Sequence, residues 1–196
     1  MFTTSSTTFP SHVSLFTSRY PRDCRNGYYL DDSATTLAEV LSDKGYLCLA
    51  FVSALPLDVR FNLNQGFAHY DSDFSRCEGS VRLKENKWFD HTYQVFDCNA
   101  REMTQKVISA VKEKNLTAPY FLWVHYYDPH FPYSPPGQYY NPEKVTRYEF
   151  PFFHEATQSD RESVNELYDG EIQFVDHQLG ELLEGLKRLG TVSYTH

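Results

Sequence analysis

The chain has 196 residues, enough for one domain, and its 41% hydrophobic and 16% aromatic residues can form a buried core. This composition excludes an intrinsically disordered chain. A formal net charge of −8 is unfavourable for binding a phosphate backbone, so we expect no nucleic-acid partner. No apolar run approaches the length of a membrane span, so we predict no transmembrane segment.

The first 45 residues are predicted to hold two helices separated by a loop over residues 19–32. The first helix runs over Pro10–Ser18. The second runs over residues 32–45, where Asp32 or Ser33 can cap its start and Gly45 ends it. The apolar residues expected to face the core are Val13, Leu15 and Phe16 in the first helix, and Leu37, Val40 and Leu41 in the second.

Two continuous apolar runs are typical of strands buried on both faces of a parallel sheet. They are "YLCLAFVSA" at residues 46–54 and "PYFLWVHYYD" at residues 119–128. Between them, residues 55–98 are predicted to be irregular, and residues 99–115 to form a helix capped by Asn99. Its predicted core residues are Met103, Val107, Ile108 and Val111.

A long helix is predicted over residues 159–189, and Gly170 is placed to bend it. Its apolar residues at helical spacing are Val164, Leu167, Tyr168, Ile172, Val175, Leu179, Leu182, Leu183 and Leu186. Strands that alternate with helices predict an α/β fold with a mostly parallel sheet flanked by helices. Ligands of such sheets bind beyond the carboxyl ends of the strands, which makes the loop "HYYDPHFPY" a candidate site.

Thr8, just before the first helix in "TFPSH", has two open interpretations. As a helix cap, Thr8 would only satisfy a backbone amide. As a nucleophile, its hydroxyl would use the unpaired amides and positive dipole end of the helix, which stabilise an alkoxide and bind a tetrahedral anion. A metal or base would have to lower the pKa of that hydroxyl.

Other polar residues are assigned mainly structural roles. His125 is expected to satisfy a local hydrogen bond, and Asp128 to turn or cap its loop. We reject Asp31 and Asp32 as a metal pair, because capping explains them better. Turn formation is preferred for Arg25, Asn26 and Gly27, and a solvated polar face for Asp169, Glu171, Asp176 and His177. Cys48 is predicted to be a buried small hydrophobe, while disulfides among Cys24, Cys77 and Cys98 stay possible.

Six segments in order resemble the sulfatase family of the alkaline-phosphatase superfamily. They are "TTFPSHVSLFTSRYP", "TLAEVLSDKGY", "AFVS", "GFAHYDSDF", "PYFLWVHYYDPHFPY" and "YDGEIQFVDHQLGELLEGLKRLG". The first resembles the family signature of nucleophile-x-Pro-Ser-Arg. A seventh stretch, "NKWFDHTY", with Lys87, Trp88 and His91, resembles the family's Gly-Lys-Trp-His segment only faintly.

The resemblance implies an alkaline-phosphatase-like fold and a metal-dependent hydrolase of sulfate esters, with phosphate esters as a second substrate class. Thr8 would be the nucleophile and a ligand of a divalent cation, Ca²⁺ or Mg²⁺, Mn²⁺ or Zn²⁺, and His12 and His130 would stabilise the anion. The substrate would be a small-molecule or glycan ester. Thr8 replaces the Cys or Ser that becomes formylglycine, so it would attack directly as an alkoxide, and His12 replaces the signature Arg.

The family's paired Asp ligands before the nucleophile, and its Asp-His or Asp-Asn pair after the long helix, have no counterpart here. We therefore expect residues 1–190 to be a partial catalytic domain, incomplete at both ends, followed by an atypical tail over residues 191–196. A non-catalytic sulfatase fold, either a fragment or a pseudoenzyme acting as a binding module, is the alternative.

Overall fold

A computed structural model of the chain divides it into two compact units. One contains Met1–Cys98 and Ser109–His125, and the other contains Asn99–Ile108 and Tyr126–His196. We call them the sheet unit and the long-helix unit, respectively. The structure describes residues 4–75, 77, 82–86, 91–95, 98–114, 116, 119–145 and 157–191.

Four α-helices and five strands are found in the described residues. The helices are α1 (Thr8–Thr17), α2 (Leu37–Ser42), α3 (Ala100–Lys114) and α4 (Gln158–Arg188). The strands are β1 (Leu47–Val52), β2 (His69–Asp71), β3 (Arg82–Asn86), β4 (His91–Val95) and β5 (Tyr120–His125). No helix in the described part of the chain is long and apolar enough to cross a membrane.

The sheet unit is built on a three-stranded parallel sheet in the order β2-β1-β5. Leu47 pairs with Tyr120 and Val52 with His125, so β1 and β5 end at the same edge. Both apolar runs are strands of one parallel sheet, which confirms the predicted sheet type. β1 is buried as expected, whereas every residue of β5 is only half-buried.

The prediction that residues 55–98 are irregular was wrong. β2 lies in this segment, and β3 and β4 pair there as an antiparallel hairpin, with Arg82 opposite Val95. Cys77 and Cys98 form a disulfide across the hairpin, while Cys24 and Cys48 are buried free thiols. Cys48 thus has the predicted buried position.

The start of α2 also differs from the prediction. Thr36, rather than Asp32 or Ser33, caps the helix: its hydroxyl accepts from the Glu39 amide, and the Glu39 carboxylate accepts from the Thr36 amide. Because of this capping box, α2 begins at Leu37, several residues later than predicted. Leu37 and Val40 are exposed and Ala38 is buried, so the predicted apolar side of this helix was wrong.

In the long-helix unit, α4 has nearly the predicted bounds, but only part of its predicted apolar set is buried. Tyr168, Ile172, Leu179 and Leu183 are about 40% exposed, while Phe174 is buried with Leu167, Leu182 and Leu186. Gly170 does not interrupt the helix. Its missing side chain leaves room for the loop that packs on it: a Cβ there would lie 2.8 Å from the Tyr139 carbonyl oxygen and 3.0 Å from Pro135.

Helix α3 belongs partly to each unit and begins as the sequence predicts. The Asn99 side chain accepts from the Glu102 amide, and the Glu102 carboxylate accepts from the Asn99 amide. Met103, Val107 and Val111 are buried as expected, and Ile108 is half-buried.

Candidate active site

Thr8 is the first residue of α1, not its cap. Thr7 occupies the N-cap position with an extended backbone and makes no capping bond through its side chain. The Thr8 side chain is half-buried, and among the described residues its hydroxyl has no hydrogen-bond partner. The capping interpretation of Thr8 is therefore wrong, and its hydroxyl is available at the positive end of a helix dipole.

The first turn of α1 is fixed by its own side chains. Phe9 and Pro10 are buried, and the Phe9 ring lies 5.5 Å from Tyr28. The Ser11 hydroxyl donates to the Thr8 carbonyl oxygen at 2.8 Å, and His12 Nδ1 lies 2.8 Å from the same oxygen. The Thr-x-Pro-Ser-His spacing thus positions the Thr8 backbone by contacts within the turn. Leu15, expected in the core, is 62% exposed.

His12 is half-buried between two residues of β5. Its ring centroid lies 5.6 Å from Trp123 and 5.2 Å from His125. Because a carbonyl oxygen only accepts hydrogen bonds, the contact with Thr8 places a hydrogen on Nδ1 of His12. In the neutral ring Nε2 is then an acceptor.

Burial lowers the pKa of His12 below its ordinary value, although the hydrogen bond to Thr8 acts in the opposite direction. The neutral ring is therefore favoured when no anion is bound. For His12 to donate from Nε2 to an anion, as the sequence predicts, the ring must first gain a proton.

The carboxyl ends of β1 and β5 are joined by a buried serine that sequence reasoning had not singled out. Ser53 is fully buried, and its hydroxyl lies 2.6 Å from the His125 carbonyl oxygen and 3.1 Å from His125 Nδ1. His125 is hydrogen-bonded as expected, but this partner lies 72 residues away in the sequence rather than nearby. The one available signal was a polar residue at the end of the apolar run "YLCLAFV".

His130 lies in the long-helix unit, in the loop that follows β5. It is exposed, its ring stacks on Tyr127 with centroids 4.4 Å apart, and its Nδ1 lies 2.7 Å from the Phe131 carbonyl oxygen. The structure brings Thr8 and His12 into one turn of the sheet unit. That His130 acts with them stays a prediction.

Two carboxylates anchor the backbone of this loop. Asp128 accepts from the Ala100 amide at 2.7 Å, at the start of α3, and Glu171 accepts from the Ser134 amide at 2.6 Å. Asp128 was expected to turn or cap its own loop, and the bond to Ala100 instead joins it to the start of α3. Glu171 was expected on a solvated face but is only 3% exposed, because it holds the loop against α4. Asp169, Asp176 and His177 are exposed as predicted.

Asp31 and Asp32 serve the loop before α2. Asp31 accepts from the amide and hydroxyl of Ser33, which lowers the pKa of its carboxyl, and Asp32 accepts from the Asn62 side chain at 2.6 Å. Arg25 donates to the Gly27 carbonyl in the predicted turn. Lys87 and Trp88 lie outside the described residues, which include only the backbone of His91.

The described residues do not fit a complete metal site. No group of three or more His, Cys, Asp or Glu side chains among them could hold a metal ion. The Thr8 hydroxyl is a single candidate ligand, and hard divalent cations take several oxygen ligands. The described residues therefore supply at most part of a divalent-cation site.

Solved structures with similar folds each extend well beyond this chain. The phosphonate monoester hydrolase of Agrobacterium radiobacter matches with a TM-score of 0.63 and 18% identity, covering 97% of this chain and 52% of that chain. BT4656, solved in complex with its substrate D-glucosamine-2-N,6-O-disulfate, matches with a TM-score of 0.63 and 12% identity, covering 97% and 54%. LtaP, a lipoteichoic acid synthase from Listeria monocytogenes, matches with a TM-score of 0.57 and 19% identity, covering 95% and 41%.

These likenesses establish an alkaline-phosphatase-like fold, and the chain spans about half the length of the structures it matches. The sequence finds no match among curated proteins. A family model described as Sulfatase matches residues 1–194, nearly the whole chain. The chain therefore belongs to the sulfatase family.

Proposed function

We propose that this sulfatase-family domain hydrolyses sulfate esters of small molecules or glycans, with Thr8 as the nucleophile. The observation that carries the proposal is the Thr8 hydroxyl itself. It is half-buried at the first residue of α1 and has no hydrogen-bond partner among the described residues. The unpaired amides at the start of α1 and the positive end of its helix dipole both favour binding of an anionic ester.

In the proposed reaction the Thr8 oxygen attacks the sulfur or phosphorus atom and the bond to the ester oxygen breaks. The leaving oxygen takes up a proton, and water then cleaves the Thr8 ester and restores the hydroxyl. A base must take up the proton that Thr8 loses, and neutral His12 offers Nε2 as an acceptor because its Nδ1 hydrogen is bound to the Thr8 carbonyl oxygen. Protonated His12 and His130 would then stabilise negative charge.

A divalent cation is part of the proposal, with Thr8 as one ligand. The experiment is turnover of the protein after treatment with a chelator and after addition of Ca²⁺, Mg²⁺, Mn²⁺ or Zn²⁺, each alone. We expect turnover to be lost and then restored by one of these ions. Full turnover in the chelated protein would contradict metal dependence.

Replacing Thr8 by alanine tests the nucleophile. We expect Thr8→Ala to reduce turnover by about 10⁴-fold or more, because alanine has no hydroxyl to attack the ester. The assay uses an aryl sulfate, a phosphate monoester, a phosphodiester and a phosphonate monoester, so that it also ranks the substrate classes.

Thr7→Ala is the matched control, since it removes a neighbouring exposed hydroxyl that makes no capping bond. Thr7→Ala should keep turnover, and Thr8→Ser should keep part of it. Unchanged turnover in Thr8→Ala would refute the nucleophile. Absence of turnover on all four substrates in the wild-type protein would favour the non-catalytic alternative.

A further inference from the structure

We propose that Ser53 and His125 are positioning residues of the proposed active site. In this proposal Ser53 fixes the tautomer and orientation of His125, and His125 with Trp123 holds the His12 ring so that Nε2 is the atom presented to substrate. That these residues support catalysis rests on the proposed function. The hydrogen bonds and ring contacts that carry the inference do not depend on that function.

The first step concerns the single hydrogen of the Ser53 hydroxyl. The His125 carbonyl oxygen, 2.6 Å away, can only accept, so the hydroxyl hydrogen points to it. The hydroxyl oxygen must then accept from His125 Nδ1, which lies 3.1 Å away. This makes His125 the Nδ1–H tautomer. Because Ser53 is fully buried, water does not compete for these two bonds.

The second step is the effect of the His125 orientation on the orientation of the His12 ring. The two rings meet edge-on, with centroids 5.2 Å apart and an interplanar angle of 69°. Trp123, two residues earlier on the same side of β5, contacts the His12 ring at 5.6 Å. The Nδ1 bond to Thr8 fixes the ring at a third point. Since Nδ1 is bound to Thr8, Nε2 is the ring nitrogen left to meet a ligand.

The third step is the coupling to Thr8. His12 is bound to the backbone of the proposed nucleophile, and α1 packs against the turn Leu55–Leu57, which directly follows β1 and Ser53. Ser53 therefore joins the ends of β1 and β5 beside the turn against which α1 packs. A general base must be held within a narrow range of positions to work, which is the role that supporting hydrogen bonds serve in active sites.

The test measures tautomers directly, in the whole chain labelled with ¹⁵N-histidine. Two-bond nitrogen–proton correlation spectra report which ring nitrogen carries the hydrogen, and His12→Asn and His125→Asn assign the two rings among the eight histidines. We expect the Nδ1–H pattern for both rings in the wild-type protein. An Nε2–H pattern for His125 would overturn the proposal.

Ser53→Cys separates hydrogen bonding from packing, because a thiol has nearly the same shape as the hydroxyl but is a weak donor and acceptor. We expect His125 to become a mixture of tautomers in Ser53→Cys and Ser53→Ala, and the nuclear Overhauser contact between the His12 and Trp123 rings to weaken at least twofold. Unchanged spectra in both variants would overturn the proposal.

Ser163→Ala is the matched control, since it removes another fully buried serine hydroxyl, in α4. It should leave the spectra of His12 and His125 unchanged, and equal changes in this variant would count against a specific role for Ser53. In turnover, Ser53→Cys should lower kcat about tenfold and change KM less than twofold. If Thr8→Ala shows that the proposed function is wrong, the tautomer spectra still decide the positioning of His12.

Discussion

His12 and His130, the two histidines proposed to contact the anion, each place Nδ1 against a backbone carbonyl oxygen but differ in burial and in how the ring is packed. In the sheet unit the His12 ring is half-buried, hydrogen-bonded to Thr8 and packed between Trp123 and His125. In the long-helix unit the His130 ring is exposed and has one stacking partner, Tyr127. There it is the loop backbone that is anchored, through Glu171 and the contact with Gly170.

This difference indicates that a sequence motif can position a functional side chain either by packing its ring or by anchoring its loop backbone. A half-buried ring packed on other rings, as at His12, has its position fixed before any ligand binds. An anchored loop with an exposed ring, as at His130, fixes where the side chain starts but leaves its tip accessible to solvent and substrate. The two histidines should therefore respond differently to mutation, and three variants test this contrast.

The largest effect on stability is expected where the loop is anchored. Gly170→Ala should lower the free energy of unfolding by about 1–3 kcal/mol, because its Cβ would lie 2.8 Å from the Tyr139 carbonyl oxygen and force the loop away from α4. Urea denaturation followed by circular dichroism measures this change.

Gly180→Ala is the matched control in the same helix, because a Cβ there meets no atom within 4 Å. It should stabilise the protein by about 0.5–1 kcal/mol, the usual gain of alanine over glycine in a helix. If both variants stabilised the protein equally, Gly170 would not be needed for the packing of the loop, and the comparison between an anchored loop and a fixed ring would fail.

The sequence predicts the elements of both regions better than their interiors. The sequence predicts a first helix close to the observed one, but only the earlier start of α1 at Thr8 puts Thr8 and His12, four residues apart, on one helix face. The parallel pairing of β1 and β5 follows from their continuous apolar runs. The hydrogen bond of Ser53 to His125 spans 72 residues, and that of Glu171 to Ser134 spans 37. Local patterns carry no signal for either.

Misplaced boundaries have a similar cause. Asp32 and Ser33 are good caps, but Glu39 stands three residues after Thr36 and completes a capping box, which stabilises the later start.

The missed strand β2 has the polar sequence His-Tyr-Asp and is half-buried, so it shows neither an apolar run nor alternation. It is a strand because it pairs with the buried β1. The exposed apolar residues of α4 likewise reflect packing that periodicity does not distinguish.

An intermediate effect, dependent on pH, is expected at His12. Burial lowers its pKa in the folded protein, so between the folded and unfolded values the unfolded chain binds a proton that the native protein does not. Stability should therefore fall as the pH drops below the ordinary histidine value of about 6.5. His12→Asn should lose on the order of 1 kcal/mol at pH 7.5 and lack this part of the pH dependence.

The measurement is the free energy of unfolding of both proteins from pH 7.5 to 5.5, a range above the titration of carboxyls such as Asp31, whose pKa is lowered. His125 faces the ring of His12, so His125→Asn serves as the comparison variant. If wild type and His12→Asn showed parallel pH profiles, His12 would not be held neutral by burial. The difference between His12 and His130 would then rest only on their ring contacts and burial.

The smallest effect on stability is expected for His130→Ala. The ring is exposed, so its removal should change the free energy of unfolding by less than about 0.5 kcal/mol, the usual range for surface substitutions. If His130 contacts the anion as proposed, the same variant should lower kcat about 100-fold, the cost of removing one donor to a developing negative charge. Tyr127→Leu, which removes the stacking partner but leaves His130 in place, should lower kcat much less. A His130→Ala protein that is markedly less stable would show that the ring holds the loop, and one with wild-type kcat would remove His130 from the proposed site and leave His12 as its one anion-contacting histidine.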